Sequence, residues 1–353
     1  MPYTDEIFVI SISLACIIIQ RWGFKNLPKD RWQILASIPI KKNSENNWSG
    51  VNITFYGFFI ATAYTLGLIF SILLLNSISI STRTIFIIFL IIGLICIPAS
   101  KIVAKLIEKK QHTYTVGGAS FIGIIITPWI LEAISFFNNH YIQIEKGMIF
   151  PMLTAFAIVY AFGEGIGRLA CLSFGCCYGK PVNQSPVFIQ RLVRRYAIKF
   201  MGDTKKAVYA GGYKGERLIP IQSITSFLYV RSSILGMYLF LKGYYYMAFL
   251  EVIIVTQIWR IFSEFLRADY RGEGKLTKYQ IMGIISILYS IVILFFIPSP
   301  PVLHTDIKAG LWALWNPAAI IILIAVWYSI LFIYGKSRVI ASSINYRIIK
   351  ENV

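Results

Sequence analysis

The sequence predicts an all-α fold, a polytopic bundle of transmembrane helices, and three observations carry that reading. Of 353 residues, 57% are hydrophobic and 14% charged, too apolar a balance for a water-soluble domain of this length. Apolar runs long enough to cross a hydrocarbon core of about 30 Å recur along nearly the whole chain. These runs are continuous and lack the period-two alternation of barrel strands, so helices must satisfy the backbone within the bilayer.

Taken in order, the runs give nine spans, at 5–20, 52–77, 83–108, 114–137, 147–175, 220–241, 244–266, 279–298 and 311–335. The first is short. No basic residue precedes it between Met1 and Glu6, which argues against a cleaved signal peptide. Ser13-Leu14-Ala15-Cys16 is followed directly by Ile17, Ile18 and Ile19, the wrong setting for a lipoprotein cleavage box. The longest polar insertion, 178–219, carries Arg191, Arg194, Arg195, Lys199, Lys205 and Lys206 before the turn-forming Gly211-Gly212. It is too long for a tight connection and suits an arm packed over the membrane surface. Neither an internal repeat nor a low-complexity linker interrupts the spans, so they form one helical domain. Five scattered cysteines do not describe a disulfide framework.

The formal net charge of +18 implies an anionic partner. For an integral membrane protein that partner is acidic phospholipid, and the chain has no aromatic-basic module for nucleic acid. The charge is also lopsided. Of 34 lysines and arginines, 27 fall in 21–50, 101–113, 178–219, 267–279 and 336–353, against Arg83, Lys146, Lys242 and Lys308 on the alternate side. By the positive-inside rule the crowded side faces the cytoplasm.

Ionisable residues within spans are functional candidates because a charge at the bilayer centre costs roughly 2.5–3.5 kcal/mol. Arg168 and Arg260 both lie toward helix ends that lead into basic loops, while Arg231 lies mid-span. Glu164 and Arg168 are spaced i, i+4, as are Arg260 and Glu264, so each pair can share a face as an internal ion pair. Two arginines converging from different helices favour an anion site, since the guanidinium fork matches phosphate oxygens.

Around Arg168 runs Gly163-Glu164-Gly165-Ile166-Gly167-Arg168, continuing through Cys171, Gly175, Cys176 and Cys177 to Gly179. Downstream lie Arg260-Ile261-Phe262-Ser263-Glu264-Phe265-Leu266-Arg267-Ala268-Asp269 and then Gln280; upstream lie Tyr56-Gly57 and Gly117-Gly118. Pro220-Ile221-Gln222 completes the set. In this order the motifs resemble those of the prolipoprotein diacylglyceryl transferase family across about residues 52–298. The resemblance implies a seven-helix core at 51–298 with its arm at 178–219. One extra span is then added at each end, with a basic loop in 1–50 and a basic tail in 299–353. It further implies that Arg168 and Arg260 are essential lipid-handling residues and that Tyr56, Gly179 and Glu264 belong to the site, with Arg267, Lys101 and Gln222 as helpers. The implied reaction moves diacylglyceryl from phosphatidylglycerol, or another anionic phospholipid, to a cysteine thiol of an acceptor protein at the plasma (inner) membrane. It needs no cofactor. Where the family has a histidine this chain has Ile122, or Val116 in another register; Ile219, Ile224 and Thr225 stand where the third motif has His, Tyr and Glu.

Cys171, Cys176 and Cys177 have no histidine near in sequence and read as small packing residues, with no metal expected. Three functions compete with the transferase: an anionic-lipid-binding relative without chemistry, a lipid transferase with a different acceptor, and a transporter. One-sided charge and the missing inverted repeat speak against the last.

Overall fold

The structure, a computed structural model, describes residues 3–44, 47–108, 115–137, 144–269, 276–298, 300 and 305–345. Among them are helices α1 (Thr4–Asn26), α2 (Phe55–Asn76), α3 (Thr82–Glu108), α4 (Val116–Phe136), α5 (Ile149–Phe174), α6 (Val187–Val193) and α7 (Lys206–Tyr209). They continue with α8 (Ile221–Leu241), α9 (Tyr245–Leu266), α10 (Lys278–Ile293), α11 (Ile307–Leu314) and α12 (Pro317–Gly335). Strands β1 (Ile34–Ser44), β2 (Asn47–Thr54) and β3 (Lys336–Asn345) form an antiparallel sheet in that order.

Each expected span is a helix. Seven (α1 to α5, α8 and α12) are long and apolar enough to cross a membrane. At 22 residues α9 equals them in length but carries Glu251, Arg260 and Glu264; α10 is a shorter apolar helix of 16 residues. Two boundaries move. The first helix runs on to Asn26, because Gln20, Arg21 and Lys25 end the apolar run without ending the helix. The last span divides into α11 and α12 at Asn316-Pro317, where Asn316 caps α12 and Pro317 opens it, since proline fits the first helical turn and disfavours helix before it. The sheet was not expected: 21–50 reads as a basic loop, yet it supplies β1 and β2 and draws in β3 from the basic tail. The last part of that tail, 346–353, lies outside the described residues.

Helix α5 is the axis of the bundle, its interior closed by α2, α8 and α9. Phe162 meets Phe70 of α2 with ring centroids 4.5 Å apart. On the α8 side Gly165 lies against Val230, so close that a methyl there would need Val230 to shift. Ser233 of α8 donates to the Ile158 carbonyl at 3.0 Å. The outer spans attach by polar contacts. Gln20 of α1 donates to the Ser226 carbonyl of α8 at 2.9 Å and accepts from Arg231 at 3.2 Å. Arg231, an in-span arginine, thus fastens α1. On the other flank Gly57 and Gly335 bring the α2 and α12 backbones into contact, and Trp327 Nε1 donates to Thr62 Oγ1 at 3.2 Å.

One end of the bundle collects nearly all the basic segments. There the Lys205 ammonium reaches from the arm to the Leu27 carbonyl beyond α1 (3.0 Å) and the Ser173 carbonyl of α5 (2.6 Å). Gly179 pairs with Arg267 as an isolated backbone bridge, tying the arm's start to the end of α9. Exposed Val187, Phe188 and Leu192 of the arm stand beside Arg191, Arg194 and Arg195, a combination suited to the lipid headgroup boundary.

Candidate functional site

At this basic end, Glu164 of α5 is the centre of a three-residue ion cluster. Its side chain is 3% exposed, so burying the carboxylate demands compensating charge. Arg168, one turn on, donates to Glu164 Oε1. Arg260 of α9 donates to Glu164 Oε2 at 2.6 Å and to the Tyr160 hydroxyl at 2.7 Å, while Tyr160 donates to the same Oε2 at 2.5 Å. Two guanidiniums therefore share one carboxylate, so these three side chains carry one net positive charge. Arg168 Nε and Arg260 Nε are buried donors without a hydrogen-bond partner among the described residues. Such donors rarely stay unpaired in native structures, which singles out this pair of arginines as candidates for an acceptor from outside the protein.

Glycines make this convergence possible. A Cβ at Gly117 would lie 3.0 Å from Arg260 Nη1 and 2.7 Å from the Tyr279 ring, so only the bare α4 backbone lets both side chains lie across it. A Cβ at Gly179 would lie 2.5 Å from the Ile219 carbonyl oxygen; its role is close packing of the arm on the start of α8.

The other expected residues divide. The Arg260–Glu264 pair does not form: Glu264 lies 3.8 Å from Arg267 and accepts from Thr277 Oγ1 at 3.4 Å. Arg260 instead turns toward α5, where Glu164 is its partner, so Glu264 does not orient it. Arg267 is buried but engaged, its fork closed on Asp269 at 2.9 and 2.8 Å. Gln222 is buried and donates to the Cys176 carbonyl at 2.8 Å, positioning the cysteine loop. Lys101 is exposed on α3 and makes no hydrogen bond or ion pair among the described residues. Tyr56, on the first turn of α2, packs edge-on to Phe174 with centroids 5.6 Å apart.

Sequence reasoning missed two features. Tyr160 completes an i, i+4, i+8 stripe with Glu164 and Arg168, a signal present in the sequence. The second is that Cys171, Cys176 and Cys177 come together, with all three Sγ atoms within 4.8 Å of one another. Helix α5 ends at Gly175 in the left-handed region (φ +73) and the chain folds back, with Cys177 also left-handed at φ +58. Hydrogen bonds with Cys171 and Cys177, together with burial, hold the Cys176 thiol well above the usual thiol range, which disfavours it as a nucleophile acting unaided.

Fold and site together define a multi-pass helical membrane protein with a buried arginine–carboxylate centre at one end of its bundle. Residues 47–296 match the family profile described as prolipoprotein diacylglyceryl transferase. The chain belongs to that family. The matched stretch spans α2 to α10 and leaves α1 and α12 outside. A search of curated proteins found no match.

Proposed function

We propose that this protein transfers diacylglyceryl from phosphatidylglycerol to a cysteine thiol of an acceptor protein in lipoprotein biosynthesis, at the plasma membrane, with Arg168 and Arg260 binding the lipid phosphate. The observation that carries the reading is the pair of buried Nε atoms, unpaired among the described residues, on two arginines that share one carboxylate. A phosphodiester placed between them completes the missing hydrogen bonds and balances the spare charge.

In the transfer, the thiolate sulfur forms a bond to the terminal glycerol carbon of the diacylglyceryl group. The carbon–oxygen bond to phosphate breaks, and its electron pair leaves with glycerol phosphate. Negative charge grows on the phosphate as that bond breaks, so fixed guanidinium donors stabilise the transition state more than the bound lipid. Glu164 and Tyr160 hold the donors in place beforehand, and Tyr56, packed on Phe174 at the end of α5, is the residue assigned to assist the acceptor thiol. Isoleucine or valine where the family has histidine favours the rival, a relative that binds anionic lipid without chemistry.

Purified protein incubated with labelled phosphatidylglycerol and a lipobox peptide separates the two. Lipidated peptide with released glycerol phosphate is expected. Retained lipid without any peptide product would refute the transferase reading and leave the binder.

A further inference from the structure

Three thiols converge beside the arginine centre in a loop whose backbone is held from several sides. Gln222 holds the Cys176 carbonyl, Cys176 N–H donates to the Cys171 carbonyl at 3.2 Å, and Ala207 N–H donates to the Gly175 carbonyl at 2.9 Å. All three cysteines are partly accessible and none is in a disulfide. Packing alone asks for neither that access nor the left-handed backbone at Cys177, which a non-glycine residue adopts at a cost and which brings the third sulfur in.

We propose that Cys171, Cys176 and Cys177 hold a zinc ion whose open fourth position takes the acceptor's thiol. The proposal rests on the transferase reading above. Catalytic zinc keeps three protein ligands and one open position, with Zn–S near 2.3 Å. In that geometry sulfurs stand about 3.8 Å apart, so the observed spacing closes by about 1 Å or less through side-chain rotation. Each cysteine gives up its proton on ligation, and the acceptor thiol does the same on taking the fourth position, its proton passing to water. That supplies a thiolate in a chain where Ile122 or Val116 stands at the family's histidine position. Neighbouring charge fits: Arg168 lies within electrostatic reach of Cys171 and Cys177, and Arg267 of Cys177. The zinc–trithiolate unit carries one negative charge, two once the acceptor thiolate binds. Tyr56 lies within electrostatic reach of the same three sulfurs.

Metal analysis of the purified full chain loaded with zinc, followed by exchange for cobalt(II), tests this. One zinc per chain is expected, with the sulfur-to-cobalt charge-transfer and tetrahedral ligand-field bands of a trithiolate site. A cysteine-containing lipobox peptide should change the ligand-field bands, and its serine counterpart should not. Cys171→Ser, Cys176→Ser and Cys177→Ser should each lose the metal while still retaining phosphatidylglycerol, which shows that they fold; where a variant does not fold, the wild-type spectrum decides. Absence of zinc and of thiolate–cobalt bands, or uptake of copper(I) alone, would overturn the proposal. A bound metal blind to the peptide would overturn the acceptor role. Turnover by metal-free protein would defeat the zinc and leave the transferase intact, whereas a peptide-responsive spectrum without turnover would defeat the transferase and leave the metal site.

Discussion

Glu164 holds the cluster together, because its one carboxylate pairs with two arginines from different helices at once. Glu164→Ala leaves both guanidiniums facing each other in a buried setting, and breaking such a pair costs about 3–5 kcal/mol. Thermal unfolding in detergent should show a large loss of stability for this variant. Arg260→Lys should fold yet bind lipid poorly, since one ammonium cannot replace the fork that meets Glu164 and Tyr160 together. Half of this chemistry is legible in the sequence. The i, i+4 spacing of Glu164 and Arg168 foretells their pairing, but identical spacing at Arg260 and Glu264 misleads, because a carboxylate on the neighbouring helix outcompetes the one on its own. Lys205 gives a pH signature at the same scale. Burial pushes its ammonium down to about 8 from 10.5, so between those values the unfolded chain binds more protons and stability rises with pH. Resistance of the arm to proteolysis should increase from pH 8 to 10, and Lys205→Met should flatten the slope.

Helix by helix, hydropathy finds the spans because each needs a long apolar stretch, whereas short extramembrane strands such as β1 carry no comparable signal. Nor does hydropathy say how the spans pack. Gly57 is readable as a family motif residue, but its partner Gly335 lies 278 positions away and outside the matched core. Gly57→Leu should separate α2 from α12, with overpacking worth about 1–3 kcal/mol; a lowered unfolding temperature and faster tryptic release of the C-terminal span would register it. The same substitution at Gly93, which faces open space, is the control and should leave stability unchanged.

Across the whole molecule, the basic segments of the chain share an end with the arginine centre, and this sets two expectations against each other. Family resemblance places that end outside the cell, where secreted acceptors arrive; the excess of lysine and arginine places it in the cytoplasm. Following the charge, a membrane-impermeant maleimide on intact cells should label Lys308→Cys and spare Lys214→Cys in a cysteine-free background; both positions are exposed, at opposite ends of the bundle. Labelling at 214 alone would restore the outward orientation. Whichever face it is, Arg168 and Arg260 are proposed to recognise a lipid phosphate together, and lipid retention decides it. Native mass spectrometry of the wild type, Arg168→Ala and Arg260→Ala, each mixed with phosphatidylglycerol and phosphatidylcholine, should show phosphatidylglycerol held selectively by the wild type and lost by both variants. Equal retention of phosphatidylglycerol by all three proteins would contradict it.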